Sequence, residues 1–169
     1  MLHRLLLLLL PLALASCTGY HLGGSKPSHL AHVENIQVPL FVNETQLTRA
    51  DAYATNSAVD ALTRDGSYRI TNINDAQAVL EGSVVSIDYG QVSSSRTDTL
   101  KSEELSMEVT INWILRDASN PARILEKGSS RGKTRFFAGD NLEIAKVNAL
   151  PDALRRACES MTSRIANGF

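Results

Sequence analysis

The sequence predicts an α+β fold: a single mixed β-sheet of four to five strands with two helices packed on one face. Three observations carry this. Leu105, Met107, Val109, Ile111, Trp113 and Leu115 alternate with Ser106, Glu108, Thr110, Asn112 and Ile114, a period of two that a helix cannot sustain. Two stretches, 47–65 and 140–168, repeat apolar residues at three and four, the helical period. Their order is strand, helix, several strands, helix. That order favours a parallel pair at the start, joined by a right-handed crossover, and an antiparallel meander after it.

The first 16 residues stand apart from this domain. His3 and Arg4 form a short basic start, Leu5 to Leu10 are six leucines in a row, and Pro11 to Leu14 extend the apolar run. The run has the length of a signal-peptide core and is too short to span a bilayer of about 30 Å. Leu14-Ala15-Ser16-Cys17 ends it. Small residues before a cysteine resemble the lipobox of bacterial lipoproteins. In such proteins the sulfur is diacylated, the leader is cut away, and the new amino terminus receives a third chain. Cys17 is thus the expected lipid anchor, with a diacylglycerol and an N-acyl chain as its only non-protein groups. Several acyl chains on one residue make a stable anchor where a single chain binds only marginally. Thr18, where an Asp would favour inner-membrane retention, leans towards the outer membrane.

Residues 17–32 carry Gly, Ser, His and Pro27 and read as a tether. The domain, 33–169, opens with a strand over Val33–Val42, in which Ile36, Val38, Leu40 and Val42 alternate and Pro39 marks an edge or bulge. Asn43–Thr45 is a polar turn. A helix follows over Leu47–Asp65, with Ala50, Ala54, Ala58, Ala61 and Leu62 on its inner face and Gly66 as its stop. Tyr68 and Ile70 mark a second strand, Ala78–Tyr89 a third, and Glu103–Arg116 the fourth. Gly90–Lys101 between the last two is a Ser/Thr-rich loop. Ile124–Phe137 holds one more strand, with Gly128 and Gly132 as places where it could break. The final helix starts at a capping-box-like Asp140 and Glu143. Val147, Leu150, Leu154, Ala157, Cys158, Met161 and Ile165 form its stripe. Pro151 is expected to kink or divide it, and Gly168 ends it.

Composition narrows the function. The 17 Lys and Arg balance 18 Asp and Glu, for a net charge of −1, which gives no footing for nucleic acid. Cys158, the second of two cysteines, has no partner if Cys17 carries lipid, so no disulfide framework is expected. Its place on an apolar stripe is that of a small buried hydrophobe. There is no Gly-rich phosphate loop, Cys-x-x-Cys or Gly-x-Ser-x-Gly. His29 and His32 have a metal-compatible spacing but no evident third ligand, and no metal site is expected. Beyond the leader, the histidines are His21, His29 and His32, all before the domain. No His-based acid–base pair can form inside it, and the chain reads as a non-enzyme.

One polar pattern remains. Arg131, Lys133 and Arg135 alternate and share one face if their segment is a strand, about 7 Å apart. Arg96 and Lys101 lie in the preceding loop. Such groups can hold phosphates through charge-assisted hydrogen bonds. They can equally be a solvated strand face.

Cys17-Thr18-Gly19-Tyr20-His21-Leu22, then Ile36-Gln37-Val38-Pro39-Leu40-Phe41-Val42-Asn43-Glu44-Thr45, resembles the opening of the LptE family of lipopolysaccharide-assembly lipoproteins. The likeness continues at Leu62-Thr63-Arg64-Asp65-Gly66, at Asp75 to Val84, and in the last helix at Ala153-Leu154-Arg155-Arg156 and Ser163-Arg164-Ile165. Phe136-Phe137-Ala138-Gly139 and Pro151 depart from the enterobacterial members. The resemblance implies a sheet with two helices on one side, held in the periplasm-facing leaflet of the outer membrane. It further implies a plug for a large outer-membrane β-barrel of the LptD type, help in that barrel's assembly, and direct contact with lipopolysaccharide. The family has no catalytic residues to carry over. The competing reading is a standalone lipoprotein that binds lipid or glycan in the periplasm, which would need an enclosed apolar pocket.

Overall fold

The computed structural model describes residues 26–93, 104–138 and 141–168. A 3-10 turn at Ser28–Leu30 precedes β1 (Asn35–Gln37), β2 (Val42–Asn43), α1 (Ala50–Asp65), β3 (Arg69–Ile70), β4 (Ala78–Ser93), β5 (Glu104–Asp117), β6 (Ile124–Phe137) and α2 (Leu142–Asn167). The strands form one sheet in the order β3-β1-β4-β5-β6, with β2 also beside β4. β1 is parallel to β3 and β4, and β2 to β4. β4, β5 and β6 form an antiparallel meander. The class, the parallel start and the meander are those the sequence predicts.

The described residues form six strands because Pro39 splits the first segment in two. Proline offers no amide to the ladder, and the chain rejoins the sheet at Val42 out of phase. Phe41 is therefore buried, while Leu40 and Val42, which continue the alternation of Ile36 and Val38 in the sequence, are 66% and 58% exposed. The Phe41 ring lies on Gly82, where ring carbons stand 2.6 Å from the site of a Cβ. Its amide donates to Thr55 Oγ1 on α1 at 2.9 Å.

Residues 26–32 belong to the domain rather than to a tether. Leu30 and Val33 are fully buried. Lys26 Nζ donates to the Val33 carbonyl at 2.8 Å and sits 4.4 Å from the centre of the Tyr68 ring. The polar composition of this stretch concealed its single apolar anchor, Leu30.

α1 begins at Ala50, three residues later than expected, after Arg49 in the left-handed region (φ 65°). Its buried face is the predicted one, and its small residues let it lie close to the sheet and to α2. Gly66 closes it at φ 77°, a conformation glycine adopts without penalty. β4 runs on to Ser93, into the segment expected as loop, with irregularities at 84/86 and 91/93.

β6 crosses Gly128 and Gly132 without a break. Both glycines face the helices and make room. Trp113 ring carbons lie 2.6–3.2 Å from the site of a Gly128 Cβ, and a Cβ on Gly132 would meet the Ala153 carbonyl and the Ala157 amide. α2 thus rests directly on the β6 backbone.

The cap of α2 is Asn141, whose Oδ1 accepts from the Ile144 amide at 3.1 Å. Asp140 lies outside the described residues, and Glu143 pairs instead with Lys146 at 2.7 Å. The capping side chain must reach the amide three positions on, and the helix start at Leu142 puts Asn141 in that place. Pro151 lies inside one continuous helix of 26 residues, so the expected division does not occur. The stripe from Leu150 to Ile165 is buried as predicted, but Val147 is 43% exposed.

Candidate functional site

The two faces of the sheet differ sharply. On β5, Met107, Val109, Ile111, Trp113 and Leu115 are buried beneath the helices. The opposite side chains, from Glu108 to Arg116, form an open face, and Ser106 at its end is buried. In register with them, β6 presents Lys127, Ser129, Arg131, Lys133, Arg135 and Phe137. The structure therefore brings Arg131, Lys133 and Arg135 together as an exposed ladder. Arg96, Lys101 and Cys17 lie outside the described residues.

The ladder is not free of counter-charge. Arg131 Nε lies 4.0 Å from Glu108 Oε1, and Arg135 Nη1 3.7 Å from Glu104 Oε1. Lys133 stands directly across from Glu108 in the register. These pairs are exposed, and such pairs contribute little to stability. Their effect is on pattern: acids on β5, bases on β6. Reading β6 alone could not find this, because the register that brings Glu104 and Glu108 beside the bases is a tertiary fact. A third cross-strand pair, Arg116 Nε to Glu81 Oε2 at 2.8 Å, links β5 to β4.

Among the described residues β6 is an edge strand, and its outer side has a defined polarity. Antiparallel pairs alternate between those bonded across the ladder and those whose backbone groups point away. The Ser129 carbonyl accepts from Arg164 Nη1 of α2 at 3.3 Å, so Ser129 points outward. By the period of two, so do Arg131, Lys133, Arg135 and Phe137.

A second feature escaped sequence reading. Between β6 and α2, Lys133, Thr134, Arg135, Asp152 and Arg156 line an open hollow of about 600 Å³. At its base Asp152 accepts from Thr134 Oγ1 (2.6 Å), Arg155 Nη2 (2.6 Å) and Arg156 Nε (3.0 Å). The Thr134 hydroxyl, then Arg155 and Arg156, hold its carboxyl down at about 2. The i, i+3 and i, i+4 spacing of Asp152 with Arg155 and Arg156 was visible; the Thr134 bond was not.

A second hollow, of about 440 Å³, lies beyond the start of α1. Leu47, Ile87 and Tyr89 line it together with Glu143 and Lys146. Both hollows are open grooves with polar rims. His29 Nε2 lies 3.5 Å from Glu126 Oε2. Among the described residues no group of three or more His, Cys, Asp or Glu could hold a metal, and no helix is long and apolar enough to cross a membrane.

A family model described as LptE, lipopolysaccharide-assembly, matches residues 33–167. No curated protein matches the chain. Among solved structures, a minor lipoprotein from Acinetobacter baumannii is 12% identical, with a TM-score of 0.53 over 80% of this chain and 94% of that one. The hypothetical protein CT253 from Chlamydia trachomatis is 6% identical, with a TM-score of 0.53 over 79% and 98%. The PelC dodecamer subunit from Paraburkholderia phytofirmans is 22% identical, with a TM-score of 0.42 over 78% and 93%. At these identities the first two likenesses concern the fold.

Proposed function

The chain belongs to the LptE family of lipopolysaccharide-assembly proteins, and from that premise we propose that it is a lipid-anchored outer-membrane subunit of the lipopolysaccharide translocon. In this reading Cys17 carries the acyl chains and the domain hangs in the periplasm-facing leaflet. It plugs and helps assemble a large β-barrel of the LptD type, and it has no catalytic role. The observation that carries the proposal is the family match over 33–167, which takes in both helices and all six strands.

The architecture supports a plug over a carrier. A plug meets a wet barrel lumen and needs a polar outer surface. The open face is mostly polar: Glu81, Ser83, Ser86, Asp88, Glu108, Thr110, Asn112 and Arg116 line β4 and β5, with Val79 and Ile114 among them. A carrier of lipid would need an enclosed apolar chamber, and the described hollows are open and polar at the rim. Arg131, Lys133 and Arg135 are proposed to meet the phosphates of lipopolysaccharide, with Arg96 and Lys101 added from the connection between β4 and β5.

The test is affinity purification of the full chain from outer membranes. A stoichiometric large barrel protein is expected, and Cys17→Ala is expected to abolish acyl labelling and give an uncleaved or soluble form. Purification without a barrel would overturn the plug; undiminished acyl labelling of Cys17→Ala would overturn the anchor.

A further inference from the structure

We propose that the outer edge of β6, from Arg131 to Phe137, accepts an extended strand of a partner protein whose carboxylates alternate on the open face of the sheet. The inference goes beyond lipopolysaccharide assembly and does not depend on a bound lipid.

The two edges of the sheet are unequal. β3 has two residues, whereas β6 has 14. A long unpaired edge is a template for another strand unless something guards it. α2 lies over the face of β6, at Gly132, rather than along its edge. Its one described bond to an outward backbone group is Arg164 to Ser129. From Arg131 onward the outward amides and carbonyls belong to Arg131, Lys133, Arg135 and Phe137. These same residues project exposed side chains onto the open face, Phe137 at 66% exposure.

Charge selects the occupant. A second copy pairing antiparallel about Lys133 would set Arg131 against Arg135 and Lys133 against itself, and like charges directly opposite destabilise a pair. A strand with acids at alternate positions would repeat on the outer side of β6 the pairing that Glu104 and Glu108 already make on its inner side. Among the described residues Lys127 and Lys133 make no ion pair within 4.0 Å, so β6 carries more positive than β5 offers negative. The basic residues that guard the edge against self-association thereby fit it to an acidic strand, a recognition mode in which backbone bonds give affinity and side chains give choice.

The test is amide hydrogen exchange on the full chain in detergent, read residue by residue by NMR, with a nine-residue peptide alternating Thr and Glu. The amides of Arg131, Lys133 and Arg135 are expected to slow about tenfold or more, while those of Gly132 and Thr134, already bonded to β5, stay unchanged. The same peptide with N-methylated Glu residues keeps its charge but loses its donors, and should give no protection. Lys133→Pro should also abolish protection, and Lys133→Gln should keep the period-two pattern at lower affinity. Equal protection by a Lys-for-Glu peptide would overturn the proposal, as would concentration-dependent dimerisation without peptide. So would perturbation of the Arg and Lys side chains with no amide protection, which would make the ladder a side-chain anion site only. Because the probe is a peptide, failure here is separate from failure to find a barrel.

Discussion

Trp113 on β5 and Ser130 on β6 are joined diagonally across the ladder: the indole Nε1 donates to Ser130 Oγ at 3.1 Å, with both residues buried. A buried donor that loses its partner costs about 1–3 kcal/mol. Ser130→Ala is therefore expected to destabilise by that amount. Urea unfolding should show a lower midpoint at an unchanged slope. An unchanged midpoint would mean the indole N–H finds another acceptor.

Gly132→Ala is expected to be worse than its size suggests. The added methyl would meet backbone of α2, at Ala153 and Ala157, and backbone cannot rotate away as a side chain can. Overpacking of this kind costs about 1–3 kcal/mol and occasionally more. Gly66→Ala offers the contrast. Nothing lies within 4 Å of its Cβ site, and the loss comes only from its φ of 77°, at about 1 kcal/mol. Thermal unfolding of the two variants side by side should separate collision from strain.

Asp152 gives the fold an acid-side pH dependence. Its folded value, about 2, lies below the ordinary 3.8 because Thr134, Arg155 and Arg156 favour the carboxylate. A group depressed in the folded state contributes fully above its unfolded value, and that contribution fades as pH falls through the folded one. Its stabilisation should thus be complete above about pH 4 and be lost on the way to pH 2. Asp152→Asn should flatten the stability curve in that window. A curve unchanged in slope would show that the three bonds do not form in solution.

Cys158 is expected to be inert. It is fully buried, and burial, with Glu159 adding to it, pushes the thiol up to about 12. The thiolate is the reactive form, so alkylating reagents should modify Cys158 only under denaturant. Cys158→Ala should destabilise by about 1 kcal/mol and leave the proposed barrel association intact. Rapid labelling of the native protein would contradict the packing described.

Charge reversal of Arg131 and Arg135 is expected to weaken the proposed lipopolysaccharide binding and its salt dependence together, because exposed charges are screened within a Debye length of about 8 Å. The reversed residues would also lie beside Glu108 and Glu104, their diagonal neighbours on β5, and the like charges would repel at a small cost. Arg131→Gln with Arg135→Gln avoids that penalty and is the cleaner variant. A binding titration at two salt concentrations, with equal affinity for wild type and variant, would assign the ladder to solvent.

Periodic segments were legible in the sequence and phase shifts were not. The β5 alternation and the α1 face of alanines could be read directly because every residue obeys one period. Pro39 announced an interruption but not that Phe41 would take the inward place of Leu40. Leu30 could not be found by pattern, since one apolar residue has no period. Gly128 and Gly132 suggested breaks because a glycine's neighbours across the sheet are invisible in one dimension; Trp113 and Ala153 explain them. The basic ladder was visible as spacing on β6, whereas its acidic counterpart on β5 and the Thr134–Asp152 bond required the fold.

The spacing of those glycines also acts as a key for strand alignment. A slip of β6 by one residue would turn its bases inward, which the period of two already forbids. A slip by two keeps the faces correct and is the more dangerous error. It would place Glu126 or Ser130 where Gly128 receives Trp113, and Ser130 or Thr134 where Gly132 receives α2. Each of these carries a Cβ that the site cannot hold. Alternation thus rejects odd misalignments and the two glycines reject the nearest even one. The shortest slip that puts a glycine back under Trp113 is four residues, and it forfeits four rungs of the ladder. The hairpin is proofread by the absence of two methyl groups.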